Sequence, residues 1–187
     1  MENYIGYTLT GLLVLSAVLL GILIPGGPIE NRNFSHISPL VLGLFNTFLT
    51  VLGVGSLILA YFTLVDSKMA FIAAAICGIS YFVVYALDLA KIFPVSPDRM
   101  PRALFAIEVI GLLLAIPLLL LSLLSISRSK SVVDGLEFPS GTIITVLVLM
   151  VVLGVGIVIY ATKSAMRKLP NKANSADAKR LAAEKKR

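Results

Sequence analysis

Five apolar stretches of about 20 residues or more run along this 187-residue chain, at roughly 4–25, 39–65, 69–92, 102–126 and 140–162. Each is long enough to cross about 30 Å of hydrocarbon as a helix. The connections between them are short, and no interval is long enough for a separate soluble domain. The pattern predicts an all-α polytopic integral membrane helix bundle of five transmembrane helices, one domain over residues 1–170. Residues 171–187 follow as a basic tail, expected to be mobile or weakly helical. The excess of apolar residues, 58% against about 45–50% in soluble domains, is collected in these five blocks.

Charge sets the expected orientation, because Lys and Arg near span ends favour the cytoplasmic side. With the N-terminus outside and the C-terminus inside, the inner segments hold Arg32, then Lys91, Arg99 and Arg102, then the nine basic residues from Lys163 onward. The outer segments hold only Lys68, Arg128 and Lys130. The first run follows Met-Glu-Asn-Tyr and ends in Ile24-Pro25-Gly26-Gly27, which lacks the features of a cleaved signal peptide. Pro25 to Pro39 can connect the first two spans as a simple inner loop or fold back into the membrane edge. The tail residues Lys179, Arg180, Lys185, Lys186 and Arg187 suit anionic lipid headgroups, at roughly 1 kcal/mol per basic residue near the surface. No aromatic or Gly-rich pattern interleaves these charges, so nucleic acid is not an expected partner.

Small residues mark packing faces. Ala70, Ala74 and Gly78 recur every four residues in the third span, a stripe that lets helix backbones approach. Packing within the chain is preferred over dimerisation as its use. Pro117 interrupts the fourth span and is expected to shape it. The string Val-Leu-Gly-Val-Gly occurs at 51–55 and 152–156, and in a chain this rich in those residues it reads as coincidence.

Two acids stand inside the apolar runs: Asp88 in the third span and Glu108 in the fourth. An acid in hydrocarbon costs several kcal/mol and persists where it is paired, wetted or used. At 1.5 Å per residue both fall roughly 6–9 Å below the inner boundary, with Asn46 of the second span at a similar depth. Tyr85 lies on the Asp88 face of its helix. Asn46, Tyr85, Asp88 and Glu108 therefore form an expected intramembrane polar layer. Lys91, Arg99 and Arg102 are its expected charge partners, since long basic side chains can snorkel toward an acid.

Most familiar chemistries are missing. There is one histidine, His36, in a loop, and one cysteine, Cys77, so neither a bis-histidine haem site nor a cysteine metal cluster can be assembled. No phosphate-binding glycine loop, H-E-x-x-H or C-x-x-C occurs. No cofactor and no metal are expected. The sequence points first to a small non-enzymatic membrane protein, an accessory, stabilising or assembly subunit whose partners are the lipid bilayer and other membrane subunits. A small oligomeric transporter or channel with an Asp88/Glu108 cation or proton site is the second reading, and a lipid-binding membrane protein the third. A bacterial inner membrane is the expected location, with an organelle membrane also allowed.

Overall fold

In a computed structural model, which describes residues 2–64, 67–128 and 142–166, the chain forms five α-helices: α1 (Glu2–Ile22), α2 (Pro39–Leu64), α3 (Lys68–Leu89), α4 (Arg102–Arg128) and α5 (Thr142–Ala165). All five contain a stretch long and apolar enough to cross a membrane. In such a solvent a helix satisfies its own backbone groups, which is why uninterrupted apolar runs take this form. Proline marks two starts: Pro39 is the first residue of α2, and Pro101 immediately precedes α4 and accepts the Phe105 N–H at 3.0 Å. The C-terminus of α3 closes on the Leu87 carbonyl, which accepts from Ile92 N–H at 2.9 Å, with Lys91 in the left-handed region at φ 56°.

The helices α1 to α4 close into a ring, α1 against α2 and α4, α3 against α2 and α4. Helix α5 lies outside the ring and, among the described residues, packs against no helix but α2. The buried stripe of α4 runs Leu104, Glu108, Gly111, Ala115, Leu118, Ser122 and Ser125, one residue every three or four. Small and polar residues thus face inward, while Leu113, Leu120, Leu123 and Leu124 are exposed. This distribution is the one expected when the surrounding medium is as apolar as leucine and close backbone approach holds the helices together. The Ala70, Ala74, Gly78 stripe is buried, and a Cβ on Gly78 would stand only 3.0 Å from the Leu119 backbone nitrogen. It is the seam between α3 and α4, within the chain.

The ends of α1, α3 and α5 and the starts of α2 and α4 gather at one end of the bundle. The segment between α1 and α2 folds over that end. Phe34 N–H donates to the Ala165 carbonyl at 2.9 Å, and the Tyr160 hydroxyl donates to the Gly26 carbonyl at 3.2 Å, tying the segment to α5. On the other side Asn33 N–H donates to Asp98 Oδ2 at 2.8 Å and Ser96 Oγ donates to the Asn33 carbonyl at 3.1 Å, tying it to the loop after α3. Glu30, Arg32 and Phe34 are buried as a result, while His36 remains exposed.

Candidate functional site

Arg32 is the centre of the polar end of the bundle. Its Nη1 and Nη2 donate to Oδ1 and Oδ2 of Asp88 on α3 at 2.9 and 2.7 Å. Its Nε donates to both oxygens of Glu30 at 3.0 Å, and Nη2 donates to Glu30 Oε2 as well. The backbone N–H of Arg32 donates to Glu30 Oε1 at 3.0 Å, so the Glu30-Asn31-Arg32 turn is closed on itself. Nη2 also stands 3.8 Å from Glu108 Oε1 on α4, and the guanidinium carbon lies 5.3 Å from the Phe34 ring centroid. Burial works against the Arg32 charge, but hydrogen bonds from Asp88 and Glu30, with their charges, outweigh it and hold the guanidinium above its ordinary range.

Two buried polar atoms beside this cluster have no hydrogen-bond partner: Glu108 Oε2 and the Tyr85 hydroxyl. Their side chains are almost fully enclosed, at 2% and 1% exposure. Tyr85 stacks on Tyr81 at 6.2 Å between ring centroids, and Tyr81 donates to Ser56 Oγ at 3.0 Å. Beneath the Tyr85 ring lies Gly111 of α4; a Cβ there would fall 2.5 Å from ring Cε2. The absence of a side chain at Gly111 therefore lets Tyr85 occupy its place.

Both unpartnered groups line a cavity of about 230 Å³ at this end of the bundle. Leu20 of α1, Leu49 and Gly53 of α2, and Ile157 and Ala161 of α5 make much of its apolar wall; Arg32, Glu30, Asp88, Glu108, Tyr85 and Asn46 make the polar part. A second groove of about 610 Å³ runs between the end of α1 and α5, and shares Gly21, Ile24 and Ile157 with the cavity.

Asn46, Tyr85, Asp88 and Glu108 are thus brought to one chamber. Asn46 is held apart from the charges, donating from Nδ2 to Thr162 Oγ1 of α5 at 3.0 Å. The expected charge partners need correction. Among the described residues Lys91, Arg99 and Arg102 make no ion pair and are exposed, while Arg32 makes all three that occur. The physical reason is the fold-back of residues 23–38, which inserts Arg32 between the helix ends, whereas Lys91 lies in the left-handed turn past the end of α3. Lys179, Arg180, Lys185, Lys186 and Arg187 lie outside the described residues. Sequence reading passed over Glu30 and Arg32 as site residues, although one signal was present: Arg32 is the only Lys or Arg in the first 67 residues.

Chemically, the cluster sets three carboxyl groups against one guanidinium. The carboxyl oxygens of Glu30, Asp88 and Glu108 approach within 4.8 Å of one another. Arg32 directs its hydrogen bonds to Glu30 and Asp88, and Glu108, which lines the chamber, keeps Oε2 without a protein partner. No curated protein and no solved structure matches the chain. Residues 5–134, which contain all four members of the charge cluster, match a family described as Domain of unknown function (DUF8051), and the chain belongs to that family.

Proposed function

We propose that this is an integral membrane protein, N-terminus outside and C-terminus inside, that binds an amphipathic small molecule in the cavity at the inner end of its bundle. One observation carries the reading: Glu108, enclosed on α4, lines a chamber with largely apolar walls and has no protein hydrogen-bond partner on Oε2. A cluster with a purely structural role would be expected to close its acceptors, since each open one in a buried site costs about 1–3 kcal/mol or more. The chamber is also roomier than the roughly 150 Å³ apolar cavity that suffices for benzene. The orientation follows from the basic residues, which concentrate at the end where the cluster lies. A subunit role remains compatible with the exposed apolar face of α5, but lipid covers such a face equally well, and the cavity is the more specific feature.

The test is extraction of the purified protein with organic solvent, followed by mass spectrometry of the extract. Wild type is expected to retain about one amphipathic molecule per chain. Ala161→Leu, which fills the wall of the chamber, is expected to lose it. Retention of nothing beyond bulk lipid by wild type, or equal retention by Ala161→Leu, would remove the proposal.

A further inference from the structure

We infer that the bound molecule carries an alkylammonium head, seated against Glu108 and Asp88 beside the Tyr85 hydroxyl, with its chain leaving the bundle between α1 and α5. This rests on the reading of the cavity as a ligand site and names the chemistry of what it takes.

Hydrogen-bond arithmetic selects the head. An ionised carboxylate only accepts, and an ammonium group only donates, with three N–H bonds and no acceptor. Arg32 gives Nε, Nη1 and Nη2 bonds to Glu30 and Asp88 and comes no closer than 3.8 Å to Glu108. The opening that remains is Glu108 Oε2, which has no protein partner and becomes an acceptor once the carboxyl is ionised opposite an ammonium. A carboxylate or phosphate head would bring a further acidic group to a site that already has three acids for one guanidinium. An alcohol would satisfy one acceptor and leave the charge surplus in place. The Tyr85 hydroxyl is a second observation at the same place: it is buried, has no protein hydrogen-bond partner, and its residue is part of the same wall.

Size and shape select the chain. A chamber of about 230 Å³ is below the roughly 300–1,000 Å³ of pockets that enclose a whole drug-sized ligand. It holds a head and the first part of a chain, so the remainder must lie outside. The shared residues Gly21, Ile24 and Ile157 connect the chamber to the α1–α5 groove. A Cβ on Gly21 would meet nothing within 4 Å, so the passage is open at that point.

The test compares three probes with one chain and three heads: dodecylammonium, dodecanol and dodecanoate. Binding to the full-length protein is counted by native mass spectrometry from neutral maltoside micelles. The expected result is one dodecylammonium per chain, bound about ten-fold or more tightly than dodecanol, with dodecanoate weakest. Glu108→Gln should cut dodecylammonium binding about ten-fold and so erase its advantage over dodecanol. Equal binding of the three heads, or a preference for dodecanoate, would overturn the ammonium assignment and leave the cavity reading standing. Binding of none would overturn both. Should Glu108→Gln fail to fold, the comparison of heads on the unaltered chain still decides. Gly21→Leu, which narrows the exit, should then weaken dodecylammonium and dodecanol alike; unchanged binding would overturn the chain path.

Discussion

Arg32 and Asp88 meet fork to fork, Nη1 to Oδ1 at 2.9 Å and Nη2 to Oδ2 at 2.7 Å, although they are 56 positions apart in the chain. The contact pins the segment between the first two helices onto the third. It also determines which acid in the cluster is satisfied and which is left facing the chamber.

Removing Arg32 should cost more than removing an ordinary surface charge. Arg32→Ala leaves Glu30, Asp88 and Glu108 without a guanidinium between them, and breaking a buried pair in this way costs about 3–5 kcal/mol. Arg32→Lys keeps the charge but loses the planar fork and should fall between the two. Unfolding in mixed micelles measures both; an Arg32→Ala protein as stable as wild type would mean that the cluster contributes nothing to the fold.

Alkaline pH separates the same two variants. The Arg32 value is raised above its ordinary range, so the stability linked to its charge is fully present below the unfolded-state value and is lost only as pH passes the folded one. An arginine in the unfolded chain already titrates above about 12. Wild type should therefore keep this contribution up to about pH 11, while Arg32→Lys, with an ordinary value near about 10.4, should begin to lose its own at lower pH. Melting curves between about pH 8 and 11 decide; parallel losses in the two proteins would contradict the assignment.

Glycines should differ sharply by position. Gly111→Ala drives a methyl into the Tyr85 ring, and overpacking of this kind costs about 1–3 kcal/mol. A Cβ on Gly11 of α1 would meet nothing within 4 Å, and Gly11→Ala should be neutral or gain up to about 1 kcal/mol from helix propensity. Equal effects in a thermal melt would show that Tyr85 is free to move aside.

The Asn33–Asp98 contact links the two loops at the cluster end. Asp98→Ala removes the acceptor for Asn33 N–H and should cost about 1 kcal/mol, since the bond is exposed. Hydrogen exchange should quicken over residues 30–34 and stay unchanged in the helices. Unaltered exchange there would mean that the Ser96 contact to the Asn33 carbonyl suffices.

Orientation is open to direct labelling. In a Cys77→Ser background, single cysteines at His36 and Arg99 should react with a membrane-impermeant maleimide only from the cytoplasmic face, and one at Tyr7 only from the opposite face. All three positions are exposed, with the first two at the cluster end and Tyr7 in the first turns of α1. The reverse pattern would invert the topology.

The spans were readable because each is a local property: an unbroken apolar run bounded by Pro, Gly or charge. Asp88 and Glu108 were readable for the converse reason, as charges where the local pattern has none. Arg32 was not, because its segment looks like a short solvated turn, and local sequence does not say which basic residue reaches a buried acid. Arg99 and Arg102 are nearer to Asp88 and Glu108 in the chain, yet Arg32 arrives first because the first loop folds back. Likewise Asn46 finds Thr162 across 116 positions, a pairing decided by the seat of α5 on α2. Gly111 is the same kind of case, since its importance depends on a Tyr85 ring from another helix.

Because α5 rests on α2 alone, no helix–helix seam has to part for a molecule to pass between α1 and α5. What bars the way there is smaller: the Tyr160 hydroxyl on the Gly26 carbonyl, together with the side chains of the groove. Rotamer changes in exposed side chains take picoseconds to nanoseconds and loop movements nanoseconds to microseconds, whereas collective helix movements take microseconds to milliseconds. For the proposed ligand, traffic through this opening would be set by how tightly it is held, and its residence time would be a direct measure of the charge cluster.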